Sequence, residues 1–257
     1  MPVQIASTNV EDHPLAELTY VIETAPWRVA GETLQLTTLK NVESSIDQVI
    51  DWLEVKGYAP EQIENLAPYF GVVWPSSLAL CAYLDQGDVK RRILGRSVVE
   101  LGCGLGLPAM ICSRAGGKCV VVDSHPSVPS FLRLNVSQNE PLNLIFESPE
   151  DLVAECKTTG RVFDWVIASD VLYDRSMAAG FAEVISVIAS SDATCVVTDP
   201  GRAYVNEFVS AMQARGWAED FVIWSVPAGF SSAGKETDVF VMVFRRKKSR
   251  DKVTDNF

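Results

Sequence analysis

From Asp88 onward, short apolar runs rich in Val, Ile and Phe alternate with stretches of helical spacing, and this alternation limits the fold more than any other feature of the chain. The runs fall at 97–101, 119–123, 142–146, 163–169, 194–199, 221–226 and 239–244, with helices predicted at 107–115, 127–138, 176–190 and 203–215. Strands separated by helices are joined by crossovers. They therefore lie parallel and are covered on both faces, which accounts for runs that are apolar nearly throughout. Between the last two runs there is only a loop, around Gly229 and Gly234, so those two are expected to pair antiparallel. The expected class is α/β.

Ahead of this core the rhythm differs. Residues 1–26 show no sustained periodicity and are expected as a loosely held arm. Residues 27–39 are β-prone and turn over Ala30-Gly31-Glu32, which predicts a hairpin. Ser44 opens a helical pattern in which Ile46, Val49, Ile50 and Leu53 share one face, with Gly57 as its stop. A short helix should start at Pro60, residues 69–75 read as extended, and Pro75 suits the first turn of a helix reaching Leu84. The whole reads as a Rossmann-like, doubly wound seven-stranded sheet, mostly parallel with an antiparallel last strand, plus a small N-terminal hairpin and helices. Its parts are an arm (1–26), the hairpin and helical segment (27–88), the core (89–245) and a basic tail (246–257).

Composition narrows the partners. At 257 residues and 47% hydrophobic, the chain can bury a sizeable core. No apolar stretch approaches the ~18–20 residues that span a bilayer. With 22 Lys and Arg against 33 Asp and Glu, the formal charge is −11. That balance is poor for nucleic-acid phosphates and suits a basic partner. Six cysteines without a C-x-x-C pair, and only two histidines, lack the ligand spacing of a zinc site, so no metal is expected. The thiols read as core residues of a reducing compartment. The first twenty residues lack a secretory or transit pattern, which leaves the cytoplasm as the expected location and a monomer as the expected state. The basic tail from Arg245 to Arg250 reads as a solvated end, with nuclear import or nucleic-acid contact as the other reading.

The segment that carries chemistry is Val98-Val-Glu-Leu-Gly-Cys-Gly-Leu-Gly-Leu-Pro108. A strand ends at Leu101 and a helix begins near Leu107, with Gly102, Gly104 and Gly106 in the turn. Glycines there let the backbone fold tightly and let a ligand approach it. The dinucleotide fingerprint G-x-G-x-x-G would need its third glycine where Leu107 stands, so that match fails. The spacing G-x-G-x-G, with Glu100 two residues ahead, resembles the loop that binds S-adenosylmethionine, whose ammonium suits a nearby carboxylate. The second strand ends at Asp123, placed to accept from both hydroxyls of a ribose. The fourth strand runs into Ile167-Ala-Ser-Asp-Val-Leu-Tyr-Asp174, and its carboxyl end lies beside the first strand at the switch point where such sheets bind ligands. Asp170, Tyr173 and Asp174 would face the donor methyl there; the plainer reading is an acid capping the next helix with a tyrosine packed beneath it.

These segments, with Trp74-Pro75 at a helix entry and the helix after Asp123 (129–139), resemble methyltransferase family 16, the seven-strand protein lysine methyltransferases with a D-x-x-Y motif after the fourth strand. The resemblance covers roughly residues 27 to 245. It implies S-adenosyl-L-methionine as cofactor and a lysine-bearing protein as acceptor. Gly102 and Gly104 would hold the methionine end, Asp123 the ribose, and Ser169 the wall beside the sulfonium. Trp74, with core packing as its plainer role, would close the site from the amino-terminal side. Glu100, Cys103, Gly106 and Ser124 complete the implied cofactor set, and Asp170 and Tyr173 would line the lysine channel as catalytic residues. Where some relatives carry a Trp for adenine, this chain has Glu147-Ser-Pro-Glu150. Thr198-Asp-Pro-Gly-Arg-Ala-Tyr204 is similar to the branch acting on the electron transfer flavoprotein β subunit, whereas the glycine loop is closer to cytosolic branches, so the acceptor assignment splits. A small-molecule methyltransferase and a non-catalytic cofactor-binding protein remain as alternatives. Arg202 reads as a tie between its loop and an acid.

Overall fold

A computed structural model describes residues 3–6, 13–15, 17–228 and 235–247. The expected core is present. Strands β4 (Ser97–Leu101), β5 (Lys118–Val122), β6 (Leu144–Glu147), β7 (Phe163–Ser169), β8 (Ala189–Asp199), β9 (Trp217–Val226) and β10 (Thr237–Arg246) form one sheet in the order β6-β5-β4-β7-β8-β10-β9. β4 pairs parallel with both β5 and β7, and β7 with β8. β10 slots antiparallel between β8 and β9, so the antiparallel strand is last in sequence but interior in the sheet. Buried side chains from both sheet faces form two clusters, one under the amino-terminal segment and one under α8 (Arg175–Ile188) and α9 (Val205–Ala214).

The amino-terminal region departs from the sequence reading. β2 runs from Thr19 to Val29 and pairs with β3 (Glu32–Leu39), while β1 (Val3–Ala6) adds a third strand. Residues 19–26, expected in a loose arm, are thus strand: Leu18, Tyr20 and Ile22 alternate into the core, a period-two signal too short to stand out before Pro26. The turn at Ala30 (φ 51°) and Gly31 (φ 74°) has two left-handed residues, the turn that suits the strand twist of a hairpin. The exposed edge of β3 is covered by α6 (Val128–Gln138). Asn135 Oδ1 accepts the Thr37 N–H at 2.7 Å, Asn139 Oδ1 accepts the Gln35 N–H at 2.8 Å, and Asn139 Nδ2 returns a bond to Gln35 C=O at 2.7 Å. Two asparagines one helical turn apart therefore do for the edge what another strand would.

Other boundaries shift for local reasons. α1 (Val42–Val55) starts two residues before Ser44 because Asn41 caps it, accepting from the Ser44 N–H at 2.8 Å. Residues 69–75 are not wholly extended, since Tyr69–Gly71 form a 3₁₀ turn. α4 (Gly87–Ile93) crosses the expected 88/89 boundary, and α7 (Pro149–Thr159), capped by Ser148 with Pro149 in its first turn, fills a segment left without an element. α2 (Pro60–Asn65), α3 (Pro75–Leu84) and α5 (Leu107–Arg114) lie where expected. Arg246, placed in the basic tail, ends β10 and stacks over Trp217 at 4.3 Å. Gly229, Gly234 and the tail beyond Lys247 lie outside the described residues.

Candidate active site

The strand order reverses between β4 and β7, and the glycine loop sits over that switch point. Gly102 (φ 65°) and Gly104 (φ 48°) are both left-handed, and neither has room for a side chain. A Cβ on Gly102 would fall 2.7 Å from Val171 Cγ1, and one on Gly104 would fall 3.1 Å from the Phe70 carbonyl oxygen. The loop is thereby wedged between the segment after β7 and the 3₁₀ turn of the amino-terminal region.

Two carboxylates hold the loop through its backbone. Asp123, half-buried at the end of β5, accepts the Gly104 N–H on Oδ2 at 2.9 Å and the His125 N–H on Oδ1 at 2.8 Å. Burial pushes its carboxyl upward while these N–H donors pull it back. Each oxygen retains a lone pair for a ligand hydroxyl. Glu100 is fully buried, and its Oε2 accepts the Ala109 N–H at 2.9 Å in the first turn of α5. It therefore lies beneath the loop, where it anchors the helix start instead of facing the crevice as its sequence position suggested. Its Oε1 is buried without a hydrogen-bond partner, and burial holds the carboxyl well above the ordinary range. Cys103 lies buried in the loop and donates its N–H to Val122 C=O at 3.0 Å, while Ser124 is exposed just beyond Asp123.

His125, one of the two histidines that the sequence offers without metal-site spacing, joins the Asp123 side of the site to the amino-terminal wall. Its Nδ1 accepts the Ser127 N–H at 3.1 Å, which leaves Nε2 as the protonated nitrogen, 3.1 Å from the Leu66 carbonyl. Its ring lies 4.5 Å from that of Phe70, and burial lowers its pKa to about 4. Only its place two residues past Asp123 hinted at this role. Trp74 belongs to the same amino-terminal wall, half-buried, with Nε1 donating to Tyr69 C=O at 2.9 Å.

On the other side of the switch point, Ser169 ends β7 partly exposed, in register with Thr198 of β8. Asp170 follows with φ 63°, a conformation that few non-glycine residues adopt, and its N–H donates to Thr198 C=O at 2.9 Å. Its carboxylate pairs with Arg202. The same guanidinium donates to Asp199 Oδ2 at 3.0 Å. Asp199 is fully buried, and its Oδ1 takes the N–H groups of Gly201 (2.9 Å) and Arg202 (2.7 Å). The tie expected of Arg202 is present, with two acids instead of one. Tyr173 is 61% exposed, so it is not packed beneath a helix, whereas Asp174 does cap α8 by accepting from the Ser176 N–H at 2.7 Å. Partial burial, with Asp123 and Asp174 nearby, raises the Tyr173 phenol, which stays protonated at neutral pH.

At the switch point the arrangement sets a backbone-held loop on one side and a carboxylate and a phenol on the other. The chain's similarity to known proteins agrees with it. Over 141 residues it is 31% identical to the electron transfer flavoprotein beta subunit lysine methyltransferase of Danio rerio, covering 53% of this chain and 51% of that protein. It is 28% identical to the protein N-lysine methyltransferase METTL21A of Mus musculus over 134 residues, covering 49% of this chain and 58% of the relative. The chain thus spans little more than half the length of these curated relatives. In fold it resembles a T. thermophilus 16S rRNA methyltransferase (RsmC) solved with AdoMet and guanosine, with a TM-score of 0.58 at 16% identity, over 88% of this chain and 51% of that one. Residues 62–215, which include the turn at Phe70, the glycine loop, Asp123, Asp170, Tyr173 and Arg202, match the family model described as lysine methyltransferase, and the chain belongs to that family.

Proposed function

We propose that the protein is an S-adenosylmethionine-dependent N-methyltransferase acting on lysine side chains of a protein. The observation that carries this reading is the pairing, across one switch point, of a glycine loop fixed by Asp123 with the Asp170–Tyr173 segment. The cradle fits the cofactor. The left-handed glycines leave the loop backbone free of side chains, and Asp123 keeps free lone pairs for a ribose. When bound, the cofactor supplies a methyl group on a sulfonium, an electrophile that a neutral amine can attack in line.

The chain's own residues then have separable tasks. The glycine loop and Asp123 bind and orient the donor, with Ser169 at the edge beside it. Asp170 and Tyr173 receive the acceptor side chain, the carboxylate accepting from its N–H groups and the phenol offering both a donor and an acceptor. Most of the rate advantage of such a displacement comes from this alignment. The attacking amine must first release a proton, which leaves to water, since a carboxylate such as Asp170 favours the charged amine and is not suited to removing it. The formal charge of −11 favours encounter with a basic protein surface. Transfer of labelled methyl from S-adenosylmethionine into a cell extract tests the reading. Label recovered as methyl-lysine in protein, and lost with Asp170→Ala, supports it; label confined to small metabolites would reject the protein acceptor.

A further inference from the structure

Asp170 carries two features that acceptor binding alone does not require: a left-handed backbone and an ion pair to a guanidinium that is itself pinned from behind. The pinning is thorough. Asp199 is fully buried at the end of β8, and it receives three donors from the 201–202 segment, two of them main-chain N–H groups. The guanidinium is thereby held against Asp199 Oδ2. Its second nitrogen meets Asp170, whose own backbone is tied to β8 through Thr198. Asp170 is consequently fixed twice over, by its main chain and by Arg202. It stands one residue before Val171, the side chain that leaves Gly102 no room for a Cβ. A non-glycine residue held in this region of backbone space is a mark of functional sites.

The chemistry gives the arrangement a purpose. Methyl transfer needs a neutral amine, yet a bare carboxylate beside an ammonium group raises its pKa by about 1–3 units and holds the proton on. We propose that Arg202 is a positioning residue for the acceptor amine: it aims the Asp170 carboxylate into the crevice and cancels much of its charge, so that the amine is oriented without being trapped as the ammonium form. This inference rests on the methyltransferase reading above. Tyr173 on the acceptor side stays neutral and does not replace Arg202 in this task, while Asp199 is held by the same guanidinium and two main-chain N–H groups and Asp174 by the first turn of α8.

The test needs no knowledge of the acceptor. Sinefungin carries a primary amine where the donor has its sulfonium methyl, and S-adenosylhomocysteine has nothing there, so the ratio of their affinities reads the local charge and discounts damage to the rest of the pocket. Calorimetry should show Arg202→Met tightening sinefungin about tenfold relative to S-adenosylhomocysteine, as a newly bare carboxylate would. Arg202→Lys, which keeps the charge, should hold the ratio within about twofold of the unmodified protein, and Asp170→Asn combined with Arg202→Met should restore it. An unchanged ratio in Arg202→Met, or equal loss of both ligands there, would overturn the proposal and leave Arg202 as a structural tie. Failure of both ligands to bind the unmodified protein would instead overturn the methyltransferase reading itself.

Discussion

The two sides of the switch point use acidic residues differently, and only one of them adds a side-chain cation. On the donor side, Glu100 and Asp123 accept from main-chain N–H groups, one oxygen of Glu100 being left without a partner, and neither carboxylate has an ion-pair partner among the described residues. On the acceptor side, Asp170 and Asp199 share a single guanidinium. Carboxylates bonded to backbone fix a loop whose geometry must not vary, because the chain cannot move without breaking them. A side-chain cation is different. It can be exchanged without refolding the strands, so the acceptor side is where charge can be tuned while the donor side stays constant. This contrast fits a family in which one donor meets many acceptors.

The sharpest way to break the comparison is to make the donor side yield. Gly102→Val must place a Cβ 2.7 Å from Val171 Cγ1 on a backbone at φ 65°, and the two penalties together should cost about 3–5 kcal/mol in chemical denaturation. A loss below about 1 kcal/mol would mean that the loop relaxes freely and is not the rigid side described.

Next in size is the joint at His125. Its folded pKa of about 4 lies below the ordinary histidine value of about 6.5, so its contribution is fully present above that value and is lost as the pH falls through 4. Over that window about 3 kcal/mol of stability should disappear, and His125→Gln should flatten this part of the stability–pH curve. An equally steep acid limb in the variant would assign the loss to the carboxylates instead.

The smallest expected effect separates the two oxygens of Glu100. Glu100→Gln keeps an acceptor for Ala109 and should cost under about 1 kcal/mol, whereas Glu100→Ala leaves that N–H unsatisfied and should cost about 1–2 kcal/mol. Because burial raises the folded pKa, the Glu100 contribution is present at low pH and is lost as the pH rises through that raised value. The unmodified protein should therefore lose stability relative to Glu100→Gln as the pH is raised, in parallel urea titrations. A constant difference across pH would show that Glu100 is ionised throughout.

The same contrast explains what could be read from the sequence. The glycine loop and Asp123 were legible because strand ends and a turn at fixed spacing place them, and the sheet followed from the alternation that surrounds them, whereas the burial of Glu100 under the loop was not legible. Arg202 was legible only as a tie, because its partners at 170 and 199 end different strands and meet only once the sheet is formed. His125 and Phe70 escaped notice for the same reason, since the contact joins residues 55 positions apart that share no local pattern. Strand β2 was hidden by a polar and proline-bearing stretch in which Tyr20 and Ile22, after Leu18, are buried and no further residue is until Val29. Fully exposed to sequence reading were the local devices; hidden were the long-range ones.

The central claim is that the loop held by Asp123 binds the sulfur cofactor, and calorimetric titration with S-adenosylmethionine and S-adenosylhomocysteine, with NAD as control, tests it most directly. Micromolar binding of both sulfur ligands with NAD silent, and at least about tenfold weaker binding in Asp123→Ala, is the result expected. Binding of NAD, or sulfur-ligand affinities unchanged in Asp123→Ala, would contradict the account.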